Sequence, residues 1–336
     1  MSDNRLIYIG TVDGLYRAEK NGHGYATEPL GLQGKGGLRC PVVTDWKDSA
    51  CLYAATNKAG VFRSRDRGVT WHEINEGITY KEVWSLVQHP QTGELYAGTG
   101  PSSVFKSTDG GDTWTDCEQI RTLPETKNWT FPGPPYVSHV KGLALCKDDP
   151  SLILGGIEEG WVIRSQDGGK TWQNIKEGLY EDVHSVTYMP DNPGVVIATT
   201  GRGVFRSTHS ADYFEESNEG LDRRYAAQLV VHPKRPRVLF TAAAAVPPPA
   251  WRRAEGADSG FYRSEDQGVT WQRLTGGLPD HIAGAPRATA GDPEDANAVL
   301  VGLTDGSVWM SENGGESFET IIQGLPSIGS LAVVRH

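Results

Sequence analysis

The chain has 336 residues, a formal net charge of −10, 41 glycines and 10 tryptophans. The acidic balance excludes a non-specific nucleic-acid or membrane-surface binder, because contact with phosphate groups needs a basic face, and no apolar run approaches the ~18 residues of a membrane-spanning helix. Glycine and tryptophan at these levels indicate an all-β chain with many tight turns and large apolar side chains between them.

The first predicted strand covers residues 6–11 and follows a short polar start. No basic segment followed by an apolar stretch precedes it, so no export signal is visible and we expect a cytoplasmic protein. In the cytosol the four cysteines stay reduced. Their positions, Cys40, Cys51, Cys117 and Cys146, contain no C-x-x-C spacing that would indicate a zinc site or a redox pair.

A short motif, S-x-D-x-G-x-T-W, recurs along the chain. It is complete at residues 64–71, 107–114, 165–172 and 264–271, softened at residues 311–318 and more degraded at residues 207–214. The aspartate can accept hydrogen bonds from its own turn, the glycine supplies a positive φ, and the tryptophan is an apolar wedge between sheets. We interpret the motif as a hairpin turn with a structural role.

The copies define a repeat of about 49 residues, which in a β-rich chain is typical of propeller blades. Each repeat is predicted to hold four strands, with the motif between the third and the fourth. The chain starts at a second strand and ends on a first strand, so the terminal strands are predicted to share one blade and close the ring, which removes free sheet edges. The prediction is an all-β, single-domain, seven-bladed β-propeller with blades at about residues 326–336 plus 1–33, 37–76, 81–118, 137–178, 181–220, 224–276 and 282–324.

The motif resembles the Asp-box, also called the BNR repeat. Over essentially its full length the chain is similar to BNR-repeat proteins related to sialidases, xyloglucan-cleaving enzymes, sortilin-type ectodomains and photosystem assembly factors. The resemblance implies Asp-boxes on the outer lower rim and a functional site on the opposite face. The F-R-I-P signature of sialidases is missing near the start, so no catalytic residue is carried over, and a fold shared by enzymes, receptors and assembly factors does not by itself indicate one function.

Two repeats are longer than the others because of segments at residues 117–138 and 243–259. Both segments contain several prolines and a tryptophan, and proline makes a loop stiffer than a Gly/Ser linker. Long loops in compact domains are usually functional or disordered. We expect both segments on the face away from the motif turns, as walls or lids over a central depression.

Ionisable residues gather just before the predicted inner strands. Lys141 and His184 occupy the register position of Trp84 within a strand, where a charged group must find a partner or line a wet cavity. For general acid–base chemistry, His184 or Asp182 would be the base and His139 or Glu82 the acid. The predicted catalytic residues are Glu82, His139, Lys141, Asp182 and His184.

Aromatic and cationic residues on the same predicted elements are candidates for substrate binding. Aromatic faces stack on sugar rings and other flat ligands. The predicted substrate-binding residues are Arg39, Trp84, Trp161, Arg224, Tyr225, Trp251 and Arg287.

Two other site chemistries stay open at this stage. His139, His184 and His281 could bind one divalent metal ion and leave a position for water. A carboxylate pair of the glycosidase type is the other reading, with Glu82, Glu158, Glu159 and Asp182 as its candidates.

The sequence thus supports one main functional hypothesis and two alternatives. The main hypothesis is a hydrolase or lyase that acts on a glycoside-like or polar small substrate. The first alternative is a non-catalytic protein-interaction or assembly-factor propeller, with residues 117–138 and 243–259 as contact segments, and the second is a histidine-ligated metal-dependent enzyme. The expected partner is a small-molecule or carbohydrate-like substrate or a protein, and not nucleic acid or membrane.

Overall fold

The computed structural model describes residues 5–22 and 24–335, and over these residues nearly all regular structure is β-strand. Three short 3-10 helices interrupt the strands, at Glu118–Thr122, Pro124–Asn128 and Pro248–Ala250. None of the described helices is long and apolar enough to cross a membrane. In chain order the strands are β1 (Arg5–Thr11), β2 (Gly14–Asn21), β3 (Gly24–Pro29), β4 (Val43–Thr44), β5 (Leu52–Thr56), β6 (Gly60–Ser64), β7 (His72–Glu73), β8 (Glu82–Gln88), β9 (Leu95–Gly100), β10 (Ser103–Ser107), β11 (Thr115–Asp116), β12 (Val140–Leu145), β13 (Ile153–Ile157), β14 (Trp161–Ser165), β15 (Gln173–Ile175), β16 (Val183–Met189), β17 (Asn192–Thr200), β18 (Gly203–Ser207), β19 (Glu215–Glu216), β20 (Tyr225–Val231), β21 (Leu239–Ala244), β22 (Ser259–Ser264), β23 (Gln272–Leu274), β24 (Pro286–Gly291), β25 (Val299–Leu303), β26 (Val308–Ser311), β27 (Glu319–Ile322) and β28 (Ile328–Arg335).

The strands form seven four-stranded antiparallel sheets, which are the blades of a β-propeller. Six sheets take four consecutive strands, beginning with β4, β8, β12, β16, β20 and β24. The seventh has the order β28-β1-β2-β3, so the last strand pairs with the first, from Arg5 opposite Arg335 to Thr11 opposite Ile328. The predicted seven four-stranded blades, with the two terminal strands in one blade, are confirmed.

By backbone proximity the chain divides into two compact units. The first unit holds residues up to 41, residues 201–204 and residues from 217 onward, and the second holds Val42–Thr200 and Phe205–Glu216. Each unit has its own apolar clusters between neighbouring sheets. In the first unit one cluster is centred on Ile7, Leu300 and Leu331, and in the second one is centred on Val140, Ile153 and Ile163.

The motif turns are built from the side chains that define the motif. At residues 107–114, Ser107 Oγ donates to Asp109 Oδ1 at 2.8 Å, and the Thr113 backbone N–H and hydroxyl both donate to the Asp109 carboxylate. These bonds, the one from Thr113 Oγ1 first, lower the pKa of Asp109 to about 2. The same bonds recur around Asp66 and Asp167. The aspartates therefore stay ionised and hold the hairpins closed, which is the structural role that the sequence predicts.

In four of the motif copies, the last residue of the motif joins its sheet to the neighbouring one. The Trp114 backbone N–H donates to the Glu76 carbonyl at 2.8 Å, and the Trp114 carbonyl oxygen lies against Gly77, whose φ is +92°. The same arrangement joins Phe214 to residues 177–178, Trp271 to residues 219–220 and Phe318 to residues 276–277. We call this repeated contact the glycine clasp.

Candidate functional site

Three sheets of the second unit present polar side chains through the same backbone irregularity. In β8, β12 and β16 the pairing register shifts by one residue near the start of the strand, and Trp84, Lys141 and His184 lie at these shifts. Such β-bulges re-aim a side chain and are frequent beside active sites. These are the three residues that the sequence places at one register position.

Glu158 is the centre of the polar cluster. It lies between β13 and β14, and its side chain is 7% exposed. Its Oε2 atom is 2.9 Å from His139 Nε2 and 2.7 Å from Lys141 Nζ. Burial opposes ionisation, but the Lys141 charge and the His139 hydrogen bond outweigh it, so the pKa of Glu158 lies well below its ordinary value. Glu158 is therefore an ionised carboxylate held in place by two residues at the start of β12.

His139, which contacts the Glu158 carboxylate, is itself covered by aromatic side chains. Its ring stacks on Trp84 with centroids 3.6 Å apart, and Phe131 contacts it edge-on at 5.0 Å. Burial lowers the pKa of His139 despite the adjacent Glu158. A neutral imidazole here donates its Nε2 hydrogen to Glu158, which fixes the tautomer. The structure thus places His139 as a buried partner of Glu158 and not as a surface group.

Asp182 and His184 form a second pair in the same cluster. His184 Nε2 lies 3.1 Å from Asp182 Oδ1, and the side chain of Asp182 is 15% exposed whereas that of His184 is 3% exposed. The geometry of this contact is not that of a hydrogen bond, so the pair is a close polar contact in which Asp182 is the more exposed partner. Glu82 is exposed and accepts a hydrogen bond from Trp84 Nε1 at 3.1 Å.

The turn between β13 and β14 has unusual backbone geometry. Glu159 and Trp161 have φ values of +55° and +64°, a region that residues other than glycine rarely adopt and that is frequent at functional sites. The turn is held by Glu181, whose carbonyl accepts hydrogen bonds from the N–H groups of Gly160 and Trp161 at 3.1 and 3.0 Å. The strained backbone therefore has a defined support, and it holds Glu159 next to Glu158.

Glu159 has the opposite protonation behaviour from Glu158. Burial, and then the negative charges of Asp182, Glu181 and Glu158, raise the pKa of Glu159. One acidic cluster thus contains a carboxyl group that keeps its proton to higher pH and a neighbour that is ionised. Carboxyl groups whose pKa values are driven apart are typical of acid–base sites.

The cluster is less suited to a metal ion. The ligand atoms of Glu158, Asp182 and His184 lie within 4.8 Å of one another, a set that could hold a cation. The Lys141 ammonium group already neutralises Glu158 at 2.7 Å, so a divalent ion here would face a like charge. This set also differs from the three histidines that the sequence suggests, of which His281 lies in the first unit and is 3.2 Å from Asp258. The three-histidine site stays a prediction.

The remaining predicted site residues of the second unit are aromatic. Trp161 is half-buried, packs on the apolar cluster that contains Val183, and has Lys176 Nζ 5.9 Å from its ring centre. Trp129, which belongs to the segment 117–138, is by contrast buried in the apolar cluster of Val140, Ile153 and Ile163. Trp84 and Trp161 are thus the two tryptophans with surface next to the acidic cluster.

The other predicted residues belong to the first unit. Arg287 lies at the register shift of β24, with its guanidinium carbon 4.6 Å from the centre of the Trp251 ring. Tyr225 contacts Trp251 edge-on at 5.5 Å. Arg39 is half-buried and Arg224 is exposed. The substrate-binding role of these residues stays a prediction.

Sequence reasoning misses the central position of Glu158. It places Glu158 and Glu159 only among the candidates for a carboxylate pair. The one signal for them is two consecutive acidic residues directly after a buried strand, Ile153–Ile157. Which partners meet Glu158 depends on side chains that tertiary structure brings together, and residue spacing does not reveal them.

No family model and no curated protein matches this chain. Among solved structures, a GH74 enzyme of Niastella koreensis is 19% identical over 87% of this chain and 46% of its own, with a TM-score of 0.66. The GH74 xyloglucanase of Xanthomonas campestris is 18% identical over 97% and 52%, with a TM-score of 0.71. The protein YCF48, in a structure with a D1 peptide bound, is 14% identical over 92% and 90%, with a TM-score of 0.63.

These likenesses establish the fold. The chain spans about half the length of the two GH74 enzymes, and the identities are all below 20%. The propeller is thus similar both to enzymes and to a protein with a bound peptide. A shared fold does not decide between these functions.

Proposed function

We propose that this chain is a hydrolase or lyase that acts by acid–base chemistry on a carbohydrate-like or other polar small substrate. The observation that carries the proposal is the pair of adjacent carboxyl groups of Glu158 and Glu159, whose pKa values are shifted in opposite directions. A protonated acid and ionised carboxylates can then be present at one pH. The likeness of the fold to the GH74 xyloglucanase supports a saccharide as the first substrate class to test.

In a hydrolytic reaction the two solvent-facing carboxyl groups have complementary roles. Glu159 donates its proton to the departing oxygen as the C–O bond breaks. Asp182, whose Oδ1 atom lies 3.1 Å from His184 Nε2, accepts a proton from the water molecule that forms the new C–O bond. Glu159 then takes up a proton from solvent and Asp182 releases one, so that one water molecule is consumed in each turnover.

The buried groups keep this arrangement in place. Lys141 and His139 hold Glu158 ionised, and the Glu158 charge helps to keep the proton on Glu159. One face of Trp84 is stacked on His139, and Glu82 and the face of Trp161 would contact a polar ring. In this mechanism His139, Lys141 and His184 are positioning residues, which modifies the catalytic roles that the sequence suggested for them.

The test is turnover of xyloglucan and of a panel of 4-nitrophenyl glycosides by the full chain, with released reducing ends or nitrophenol as the readout. We expect Glu159→Gln and Asp182→Asn each to lower kcat by about 10²- to 10⁴-fold, the range of a lost general acid or base. Glu177→Gln, an exposed glutamate of the same unit, is the matched control and retains the wild-type rate. Treatment with EDTA leaves the rate unchanged.

Three results would contradict the proposal. Wild-type turnover by Glu159→Gln would show that Glu159 is not the general acid. Wild-type turnover by Asp182→Asn would show that Asp182 is not the general base. Loss of all activity in EDTA, restored by a divalent ion, would replace acid–base chemistry with the metal-dependent alternative.

A non-catalytic, peptide-binding propeller is the second candidate function. It is favoured by apolar side chains on the segment 117–138, where Tyr136 is 62% exposed and Val137 is 39% exposed. Binding of fluorescent peptides from a random library, lost in a Tyr136→Ser, Val137→Ser double variant but kept in Glu159→Gln, would favour this function over the enzyme. The cytoplasmic location also stays a proposal, which fractionation of the native host would test.

A further inference from the structure

A second cluster, in the first unit, is basic although the chain as a whole is acidic. It is formed by the segment that carries Trp251 and by the start of β24. Arg287 lies at the register shift of that strand, and its guanidinium group is stacked over the Trp251 ring at 4.6 Å. We call Trp251, Arg252, Arg253 and Arg287 the arginine patch.

The aromatic base of the arginine patch is fixed. Trp251 Nε1 donates to the Val246 carbonyl at 2.7 Å across a short 3-10 helix with three prolines before and within it. Tyr225 contacts the ring edge-on, and the ring packs on the fully buried Ala244, Ala257 and Ala285. A guanidinium group that is stacked on such a ring loses little entropy when its N–H groups bind a ligand.

Two charges of the arginine patch are not neutralised within the protein. Arg252 and Arg253 follow Trp251 directly, are exposed, and form no ion pair with any residue in the described part of the chain. The nearest acidic residue in sequence is Glu255, which is also exposed. Arg223, a short distance along the chain, shows the opposite case, because Asp222 and Asp258 bind it at 2.6 and 2.8 Å.

Arginine is the side chain that fits oxyanions best. Its planar fork donates two parallel hydrogen bonds to phosphate or carboxylate oxygens. Two exposed arginines follow the tryptophan on which the third is stacked, and three positive charges match a dianion better than a single negative charge. We propose that the arginine patch binds the phosphate group of a small phosphorylated ligand. This site is independent of the acid–base function proposed for the second unit.

The experiment is an isothermal titration of the full chain with phenyl phosphate and with inorganic phosphate, and with acetate as the carboxylate probe. We expect saturable binding of both phosphate compounds and much weaker binding of acetate. Arg287→Lys keeps the charge but loses the fork and the stack, so it should weaken phosphate binding at least tenfold. The exposed pair Arg252→Gln, Arg253→Gln should weaken it to a similar degree.

The controls distinguish a specific phosphate site from general electrostatic attraction between phosphate and positive charges on the surface. Arg65→Gln removes one exposed positive charge from a motif turn and should leave phosphate binding unchanged. Wild-type affinity in both Arg287→Lys and the double variant would overturn the proposal, as would an equal loss in Arg65→Gln or equal affinity for acetate. Thermal melting of each variant confirms that it is folded, and the double variant changes only exposed side chains.

Discussion

A buried carboxylate stays ionised in this protein because its partners are in place before any ligand arrives. Glu158 is almost completely removed from water, which by itself would favour its neutral form. Lys141 at 2.7 Å and His139 at 2.9 Å reverse that preference. The resulting fixed negative charge acts on the next residue in the chain, where a second carboxyl group has one side open to solvent.

The first prediction concerns the proton on Glu159. Glu181 is exposed and is one of the charges that raise the pKa of Glu159. In Glu181→Gln that charge is absent while its backbone carbonyl still holds the turn, so the pKa of Glu159 falls. A general acid is active only while protonated, and the decline of kcat/KM at high pH therefore moves to lower pH in this variant.

The measurement is a pH–rate profile, with a carboxyl ¹³C titration of Glu159 as a readout that does not require activity. Glu177→Gln is the control, because Glu177 does not act on Glu159, and its profile should match the wild type. If the pKa of Glu159 rises or stays unchanged in Glu181→Gln, the negative charge of Glu181 does not raise the pKa of Glu159.

At this scale the sequence is informative about positions but not about partners. The common register of Trp84, Lys141 and His184 follows from alignment of the repeats, and all three lie at β-bulges. The contact of Glu158 with His139 and Lys141 is a tertiary one, because the three side chains come from one strand start and one turn of a twisted sheet. Residue spacing contains no signal for such a contact.

At the scale of elements, the glycine clasp explains how one sheet is attached to the next. At Gly77 the backbone is left-handed, with φ of +92°, and a methyl group there would overlap the Trp114 carbonyl oxygen. The motif therefore acts on two levels: its aspartate closes the hairpin, and its last residue bonds the previous sheet through the main chain. The motif predicts the hairpin, but it does not predict the glycine, which lies outside the motif.

The second prediction is that Gly77→Ala destabilises the protein more than an alanine at another left-handed glycine. Gly34 is the matched control, because its φ is +75° and no atom lies within 4 Å of the position of an added methyl group. Gly34→Ala should cost about 1–2 kcal/mol, the strain of a left-handed residue with a Cβ atom. Gly77→Ala adds a backbone overlap and should cost at least about 2 kcal/mol more.

Urea unfolding of the two variants and the wild type under the same conditions measures both costs. Equal losses of unfolding free energy in the two variants would show that the backbone at Trp114 moves away from the added methyl group at no cost. A larger loss in Gly34→Ala would contradict the role of the glycine clasp in stability.

At the scale of the whole molecule, repetition is what made the fold predictable. Seven similar sequence repeats form seven similar sheets. The strand type at each end of the chain indicates which strands share a sheet. The chemistry of the site depends on the residues in which the units differ, and a repeat pattern contains no information about those.

Ion pairs also stabilise the sheet that contains both terminal strands, β1 and β28. Arg5 is 2% exposed and Asp292 is fully buried, and Arg5 Nε donates to Asp292 Oδ2 at 2.7 Å. Arg335, at the end of β28, donates through Nε to Asp292 Oδ1 at 3.0 Å. The first and last strands of the structure thus bind one carboxylate. Burial opposes its ionisation, but hydrogen bonds from Arg335 and Arg5 lower the pKa of Asp292 to about 2.

The third prediction is that this contact stabilises the fold at neutral pH and is lost in acid. Because the folded pKa of about 2 lies below the ordinary value of about 3.9, the contribution is complete above the ordinary value and disappears as pH falls towards the folded one. Asp292→Asn removes the buried charge that Arg5 and Arg335 share, although Asp295 and Glu312 still pair with Arg5 at 2.9 and 2.8 Å. The substitution should therefore cost about 2–3 kcal/mol at pH 7, the free energy that corresponds to the lowered pKa of Asp292. Urea unfolding at several pH values measures the difference from wild type, which should shrink between about pH 4 and pH 2.

A chain that ends at residue 325 tests the contribution of the strand itself. It lacks β28, so β1 loses its antiparallel partner and its blade keeps three strands. The exposed edge and the uncovered Ile7 and Ile9 should abolish cooperative thermal melting and promote association, because unpaired strand edges template further pairing. A chain that ends at residue 335 keeps all of β28 and should melt like the wild type. Cooperative melting of the shorter chain near the wild-type Tm would show that the remaining three strands stabilise the blade without β28.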